Sequence, residues 1–414
     1  MYYYQEMDQI YAALNSGLPL PSVPAPAAEA PLTFLLDAPP ENRRAAFCVT
    51  DAGQLTADES VAWLDPARIA GGRAPMPSDI LARIERRTLR AVNIRHPRWR
   101  EAAGLAVIKP GQSRVHLLAV GDVGGTLLTG LKLLGGDCIK ALGICDLNPN
   151  TVARWTAEMS QIAWPWDYDA LPDVKPVEMA DLFDCDVFIF AATKAIPAVG
   201  SAVKDVRMAQ LDANRAIVEQ YAKMARRANF QGLFMVLSDP VDPLCKAAYL
   251  ASNRGEDDRW DGLGLLPEQI QGFGLGVMNA RAAALAKQQE RFCSFLTEGR
   301  SFGPHGEGLV IANSLADYDD GLSRELTELV KTANLRIREI GFKPYVAPAL
   351  SSGAFQLLLA LRGQWHCGSV CLGGVWFGCR NRFTPAGIET EGLALPDALF
   401  NRLLETQQTL AEIL

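Results

Sequence analysis

A glycine-rich turn carries the clearest chemical signal in the chain. It follows an apolar run, precedes a helical pattern and reads Ala119-Val120-Gly121-Asp122-Val123-Gly124. Gly121 and Gly124 fit the second and third glycines of a G-x-G-x-x-G turn, whereas Ala119 replaces the first. Such a turn lets the backbone approach a pyrophosphate, and the next helix offers unpaired N–H groups and the positive end of its dipole. We therefore predict that residues 121–124 bind a dinucleotide.

Asp146 extends this pattern, because it follows the next apolar run, twenty-five residues after Gly121. A carboxylate at that place accepts hydrogen bonds from both hydroxyls of the adenosine ribose and repels a 2′-phosphate. The pattern predicts NAD, rather than NADP, as the cofactor. The alternative is a structural pair of turn glycines beside a surface aspartate.

His305 is the best candidate for acid–base chemistry among the four histidines of the chain. Glycines lie on both sides of it in the loop sequence GPHGEG, and such a loop leaves the imidazole accessible. His116 alternates within a predicted strand and is interpreted as a core residue, and His96 is expected to be exposed. His366 lies near three cysteines, but their spacing fits no zinc motif, so no metal site is predicted.

The elements that must position these residues alternate between strands and helices from residue 114 onward. Apolar runs, predicted as strands, lie at 115–120, 139–147, 186–193 and 233–237. Helical patterns separate them at 126–134, 151–162 and 207–229. This alternation predicts an α/β fold with a Rossmann-type doubly wound parallel sheet.

Three units are predicted along the chain. Residues 1–112 form a small N-terminal appendage, in which we expect an opening helix, short strands at 32–36 and 45–50, and a helix at 78–92. Residues 113–270 form the NAD-binding domain, and residues 271–414 form an α+β substrate domain. The appendage itself indicates no chemistry.

Composition excludes several classes of partner. The chain has 40 Lys and Arg against 47 Asp and Glu, a net charge of −7, which argues against nucleic acid or an anionic membrane as partner. Its nine cysteines are scattered and odd in number, and its first residues lack the features of a secretory signal. We therefore expect reduced thiols and a cytoplasmic protein.

From residue 114 to 414 the order of motifs resembles the lactate/malate dehydrogenase superfamily. After the glycine turn and Asp146, the matching pieces are Ala191-Ala192-Thr193, Arg207 with Asn214, Ser238-Asp239-Pro240-Val241-Asp242, Val277-Met278-Asn279-Ala280-Arg281 and Pro304-His305-Gly306. Each motif alone is weak evidence for the family, and the resemblance is specific because all the motifs occur in the family's order.

The resemblance implies an NAD-dependent oxidoreductase that interconverts a 2-hydroxy acid and a 2-oxo acid. His305 would exchange a proton with the substrate oxygen, and Arg281 would bind the substrate carboxylate as a bidentate fork. Arg207 would polarise the carbonyl from a mobile loop, while Ala192 and Ser238 would line the cofactor. Relatives of this kind are dimers or tetramers, so a homo-oligomer is expected.

Two positions depart from the family pattern in a reciprocal way. Asp239 stands where the family's SNPVD motif has asparagine, and Asn279 stands where its LDxxR motif has the aspartate that pairs with the histidine. An asparagine can orient the imidazole of His305 but does not stabilise its cation by charge. Asp239 would restore that charge if it turned toward His305. The alternatives are an amine-bearing substrate that meets Asp239, or a site that binds cofactor without turnover.

The expected substrate loop departs as well. Sixteen residues run from Ala192 to Arg207, more than in typical malate enzymes. Ser201 stands where those enzymes carry a second arginine, and the nearby cations are Lys194 and Lys204. These differences argue against plain malate and favour a larger or differently charged 2-hydroxy acid.

Overall fold

The fold is given by a computed structural model, which describes residues 1–27, 30–41, 43–70, 75–194 and 206–414, the last range without the side chains of 206–209. Its N-terminal part contains strands β1 (Tyr2–Glu6), β2 (Gln9–Ala13), β3 (Thr33–Leu36), β4 (Ala46–Cys48) and β5 (Arg90–Asn93). The helices of this part are α1 (Pro66–Ile69), α2 (Ser78–Glu85) and α3 (Trp99–Gly104). The five strands form one sheet in the order β1-β2-β3-β5-β4.

Two expectations for this part were wrong. The chain opens with the antiparallel hairpin β1–β2 rather than a helix, and Tyr4 and Tyr11 pair across it with their side chains buried. Tyrosine suits a half-buried pleated surface, which outweighs the weak helical pattern. The helix expected at 78–92 ends at Glu85, and its last residues form β5, which pairs with β3 and β4.

The strands of the rest of the chain are β6 (Ser113–Leu118), β7 (Ile139–Cys145), β8 (Asp173–Pro176), β9 (Val187–Phe190), β10 (Leu233–Val236), β11 (Ile270–Gly272), β12 (Arg300–Phe302), β13 (Val310–Ala312), β14 (His366–Leu372), β15 (Val375–Thr384) and β16 (Gly387–Thr390). Nine of them form one sheet in the order β16-β15-β14-β11-β10-β9-β6-β7-β8, and β12 pairs with β13 separately. The six strands β6 to β11 are parallel, which confirms the predicted doubly wound sheet. The antiparallel strands β14–β16 extend the same sheet beyond β11.

Helices cover both faces of this sheet. They are α4 (Asp122–Leu134), α5 (Pro149–Met159), α6 (Val206–Arg227), α7 (Val241–Ser252), α8 (Leu275–Gln288), α9 (Phe295–Glu298), α10 (Asp320–Glu339), α11 (Phe355–Leu361) and α12 (Asp397–Ala411), and a π-helical segment at Pro348–Ala354 precedes α11. Every residue of β9 and β10 is buried, as expected for central parallel strands. Within the described residues, none of the helices combines the length and the apolar character needed to cross a membrane.

Buried polar contacts fasten the N-terminal part to the large sheet. Glu268, just before β11, accepts a hydrogen bond from the backbone N–H of Ala45 at 3.2 Å. Its other oxygen, Oε1, is buried and has no hydrogen-bond partner among the described residues. Burial raises the pKa of Glu268 to about 7, although the positive charges of Arg44 and Arg90 oppose that shift. The carboxyl group is therefore protonated in mildly acidic solution.

This carboxyl group predicts a pH dependence of stability. Because its folded-state pKa lies above the ordinary value of 4.5, the folded chain retains a proton that the unfolded chain releases, and stability falls as the pH rises from about 4.5 to about 7. Glu268→Gln removes this loss of about 3 kcal/mol above pH 7. We expect denaturant unfolding to show the variant gaining stability over the parent at pH 8 but not at pH 5. The exposed control Glu256→Gln should show no such difference, and parallel pH profiles for Glu268→Gln and the parent would contradict the assignment.

Candidate active site

The glycine turn joins β6 to α4 at the carboxyl edge of the large sheet. Gly121 is the N-cap residue of α4, and a Cβ placed on it would meet no atom within 4 Å among the described residues. A Cβ on Gly124 would instead lie 2.0 Å from the carbonyl oxygen of Ala119. Gly121 thus leaves space for a ligand, and Gly124 is required for the close packing of strand against helix. Ala119 itself has a φ of +72°, the left-handed conformation that a glycine adopts at no steric cost.

Asp146 lies directly after β7 and is hydrogen-bonded to the backbone of the glycine turn. Its Oδ2 accepts the backbone N–H of Val120 at 2.9 Å, and its Oδ1 accepts that of Asn148 at 2.9 Å. Trp155 on α5 donates its indole N–H to the carbonyl oxygen of Val120 at 2.9 Å. A carboxylate has about four lone-pair positions, so Asp146 can still accept the ribose hydroxyls.

Asp122 introduces a negative charge in the first turn of α4, where an anion would otherwise be favoured. Its Oδ2 lies 3.0 Å from Nζ of Lys343, and both side chains are exposed. Lysine compensates the carboxylate, so the helix end keeps its attraction for a pyrophosphate. The open position at Gly121, the packed Gly124 and the placed Asp146 together fit a dinucleotide.

Alanine substitutions at Gly121 and Gly124 are predicted to have different effects, one on ligand binding and the other on stability. Gly121→Ala should leave the melting temperature nearly unchanged, because the new methyl group meets open space, and should weaken NADH binding by roughly tenfold or more because it occupies the ligand's position. Gly124→Ala should lower the free energy of unfolding by about 2 kcal/mol, since its Cβ would overlap a backbone oxygen. Thermal unfolding and fluorescence titration with NADH measure the two effects. Equal destabilisation by both substitutions would contradict this division of roles.

The structure brings His305 and Asp239 together. Nδ1 of His305, in the loop between β12 and β13, lies 3.0 Å from Oδ1 of Asp239, in the loop after β10. The histidine side chain is 17% exposed and the aspartate side chain 50% exposed. A carboxylate only accepts hydrogen bonds, so the proton of this contact sits on Nδ1, and Nε2 is the ring nitrogen that this contact leaves unused.

Asn279 and Arg281 both lie on α8. Oδ1 of Asn279 accepts a hydrogen bond from the Ser301 hydroxyl at 3.2 Å, so the side-chain amide of Asn279 is bound to β12. Nη1 of Arg281 lies 3.3 Å from the carbonyl oxygen of Val330. Burial lowers the pKa of Arg281 and the negative charge of Asp239 raises it, which places that carboxylate within electrostatic reach of the guanidinium.

The backbone around Asp239 is fixed by contacts with α6 and with the segment that follows β9. Asn214 on α6 is fully buried, donates to the carbonyl oxygen of Asp239 at 2.7 Å and accepts the N–H of Lys194 at 2.8 Å. The Ser238 hydroxyl donates to the carbonyl oxygen of Ala192 at 2.7 Å. These contacts join the segments that follow β9 and β10, at the sheet edge where the glycine turn also lies.

The proposed substrate loop is described only at its ends. Arg207 is the second residue of α6, and its side chain lies outside the described residues. Ser201 and Lys204 lie outside them altogether. The predictions for these three residues therefore stay predictions.

Asp242 was not assigned a role from the sequence, although it ends the Ser238–Asp242 motif. It is buried in the first turn of α7 and accepts a hydrogen bond from the Ser369 hydroxyl on β14. Burial raises its pKa to about 6, while hydrogen bonds from Ser369 and the backbone of His305 act in the opposite direction. Asp242 thus holds the loop that carries His305 through a hydrogen bond from the His305 backbone. Its place at the end of the Ser238–Asp242 motif was the available signal.

The other histidines have structural contacts. Nδ1 of His116 lies 2.9 Å from the carbonyl oxygen of Leu182. His366 is buried and stacks between Phe273 and Phe383, and burial lowers its pKa to about 4. The expectation that His96 is exposed was wrong, because it is 1% exposed and packs edge to face against Trp260, and burial lowers its pKa to about 4.

The fold and this arrangement define a protein with the lactate/malate dehydrogenase fold. The minor L-lactate dehydrogenase of Enterococcus mundtii, solved in a ligand-bound form, matches with a TM-score of 0.59 at 18% identity over 73% of this chain and 97% of that chain. The apo malate dehydrogenase of Picrophilus torridus matches with a TM-score of 0.58 at 16% identity over 73% and 96%. The malate dehydrogenase of Archaeoglobus fulgidus, solved in complex with NADH, matches with a TM-score of 0.57 at 16% identity over 72% and 98%.

These similarities confirm the resemblance at the level of the fold. Each match covers nearly all of the other protein and leaves more than a quarter of this chain unmatched. No protein-family model and no curated protein sequence matches the chain.

Proposed function

We propose that this protein is an NAD-dependent dehydrogenase that interconverts a 2-hydroxy acid and the corresponding 2-oxo acid. The observation that carries the proposal is the hydrogen bond between His305 and Asp239, at the sheet edge that also holds the glycine turn. A histidine held by a carboxylate is a proton donor and acceptor of defined orientation. The lactate/malate dehydrogenase fold supports the same reaction class by analogy.

In the proposed reaction, His305 moves the proton. With Nδ1–H donated to Asp239, its Nε2 donates a proton to the carbonyl oxygen of the oxo acid and accepts one from the hydroxy acid. Asp239 holds the imidazole ring in this orientation, whereas Asn279, at the position where the family has the aspartate, is hydrogen-bonded to Ser301. A nicotinamide cofactor, when bound, supplies the two-electron oxidation or reduction.

Arg281 is proposed to hold the substrate carboxylate. Its guanidinium group is half-buried on α8 and interacts electrostatically with the carboxylate of Asp239. A partly desolvated arginine binds a carboxylate strongly and in a fixed plane, which orients the carbon beside it. The substrate is then a carboxylate-bearing small molecule, and plain malate is disfavoured. We also propose a cytoplasmic homo-oligomer.

Cofactor choice gives the first test. Titration of the purified protein with NADH and NADPH, followed by nicotinamide fluorescence, should show tight binding of NADH and weak binding of NADPH. Asp146→Asn should raise the affinity for NADPH relative to NADH several-fold, because the neutral amide no longer repels the 2′-phosphate, and it should keep only one of the two backbone hydrogen bonds that Asp146 accepts. Binding of neither nucleotide would overturn the dehydrogenase proposal and favour a protein that acts by interaction alone.

The proton-transfer pair gives the second test. His305→Asn should lower NADH-dependent reduction of 2-oxo acids by about a hundredfold or more and leave NADH binding unchanged. Asp239→Asn should have a comparable effect, whereas the exposed control Asp257→Asn should have none. Unchanged turnover in His305→Asn would rule out its role.

The reciprocal exchange gives the third test. We expect the double variant Asp239→Asn with Asn279→Asp to lose most of the native activity, because the His305 contact comes from the loop after β10 and Asn279 is engaged with Ser301. A gain of turnover on simple 2-oxo acids in that variant would show that the native site is disabled or tuned to other substrates, such as amine-bearing ones.

A further inference from the structure

A large cavity lies between the N-terminal part and the β15–β16 hairpin, apart from the candidate active site. Its volume is about 920 Å³, within the range of small-molecule sites. One wall comes from α2, β5 and the end of α3, and the other comes from the end of β15 and the turn that follows it. Five of the lining residues are arginines: Arg83, Arg86, Arg87, Arg90 and Arg382.

Arg90 crosses the cavity between its two walls. Its Nη1 donates to the carbonyl oxygens of Ala102 at 3.0 Å and Ala103 at 2.7 Å, and its Nη2 donates to that of Pro385 at 2.8 Å. These acceptors orient the guanidinium but carry no formal charge. Glu268 lies within electrostatic reach of Arg90, but no carboxylate is among the described residues that line the cavity.

Arg87 and Arg382 share one carboxylate. Nε of Arg87 lies 2.9 Å from Oε1 of Glu389, and Nε of Arg382 lies 2.6 Å from Oε2 of the same residue. Arg382 also stacks over the ring of Trp365 at 4.6 Å, which holds its plane. With Arg90, which does not share this carboxylate, the three arginines and Glu389 carry a net charge of +2.

We infer that this cavity binds a small molecule with a pyrophosphate or phosphate group, held by Arg87, Arg90 and Arg382. Guanidinium forks match phosphate oxygens in geometry, and a group with two or more negative charges balances the charge of the wall. Because the two walls come from different parts of the chain, the ligand would also strengthen the attachment of the N-terminal part. This inference is independent of the proposed dehydrogenase activity.

Inorganic pyrophosphate is the probe for the test, titrated into the full-length protein by calorimetry at low salt. Arg382→Gln and Arg87→Gln should each weaken binding by roughly tenfold or more, because each removes a charged donor. In each variant Glu389 keeps the other arginine as its partner, which favours normal folding, and thermal unfolding checks it. The control Arg259→Gln removes the same charge from an 87% exposed side chain away from the cavity and should change the dissociation constant less than about twofold.

The glycine turn is a second place where pyrophosphate can bind, and Gly121→Ala separates the two. Binding that persists in Gly121→Ala and is lost in the arginine variants supports the cavity. Binding that is lost in Gly121→Ala and kept in both arginine variants overturns the inference, as does the absence of binding at millimolar pyrophosphate. Equal weakening by Arg259→Gln would show a response to net charge alone and would overturn it too.

Discussion

The hydrogen bond between Nδ1 of His305 and Oδ1 of Asp239 is the contact on which the candidate site depends. It joins two loops that are 66 residues apart in the sequence. A histidine on a glycine-flanked loop has no fixed orientation of its own, and an acceptor-only carboxylate fixes both its ring and its tautomer. Two buried side chains then support the pair, because Asn214 holds the carbonyl of Asp239 and Asp242 lies against the backbone of His305.

The parallel sheet explains why this pair and the glycine turn share one edge. Strands β10, β9 and β6 are neighbours that run in the same direction, so the segments that follow them emerge side by side. Asp239 follows β10, Ala192 follows β9 and Gly121 follows β6. A ligand across this edge would therefore reach the helix N-terminus at one end and the histidine at the other, the usual location of binding crevices in doubly wound folds.

The N-terminal part is attached by apolar packing, in which Val61 and Leu64 join the core of the large sheet, and by polar contacts across the boundary. Glu268 meets Ala45, Arg87 meets Glu389, and Arg90 meets Pro385. Buried polar groups require partners of defined geometry, so such a joint has one arrangement in which they are satisfied. Long arginine side chains line the boundary between the N-terminal part and the β15–β16 hairpin and leave a cavity there. Close apolar packing would have filled that space.

Local patterns in the sequence determined the parallel sheet, the Gly121 turn and the place of Asp146, because strand periodicity and turn chemistry depend on neighbouring residues. The residue types near His305 could also be read from the sequence, together with the exchange of carboxylate and amide at Asp239 and Asn279. Only the tertiary structure decided which of these two meets the histidine, and likewise made the opening segment a hairpin and assembled the arginine cavity. Those features depend on packing between segments far apart in the chain, and no local pattern records which distant partner a side chain will find.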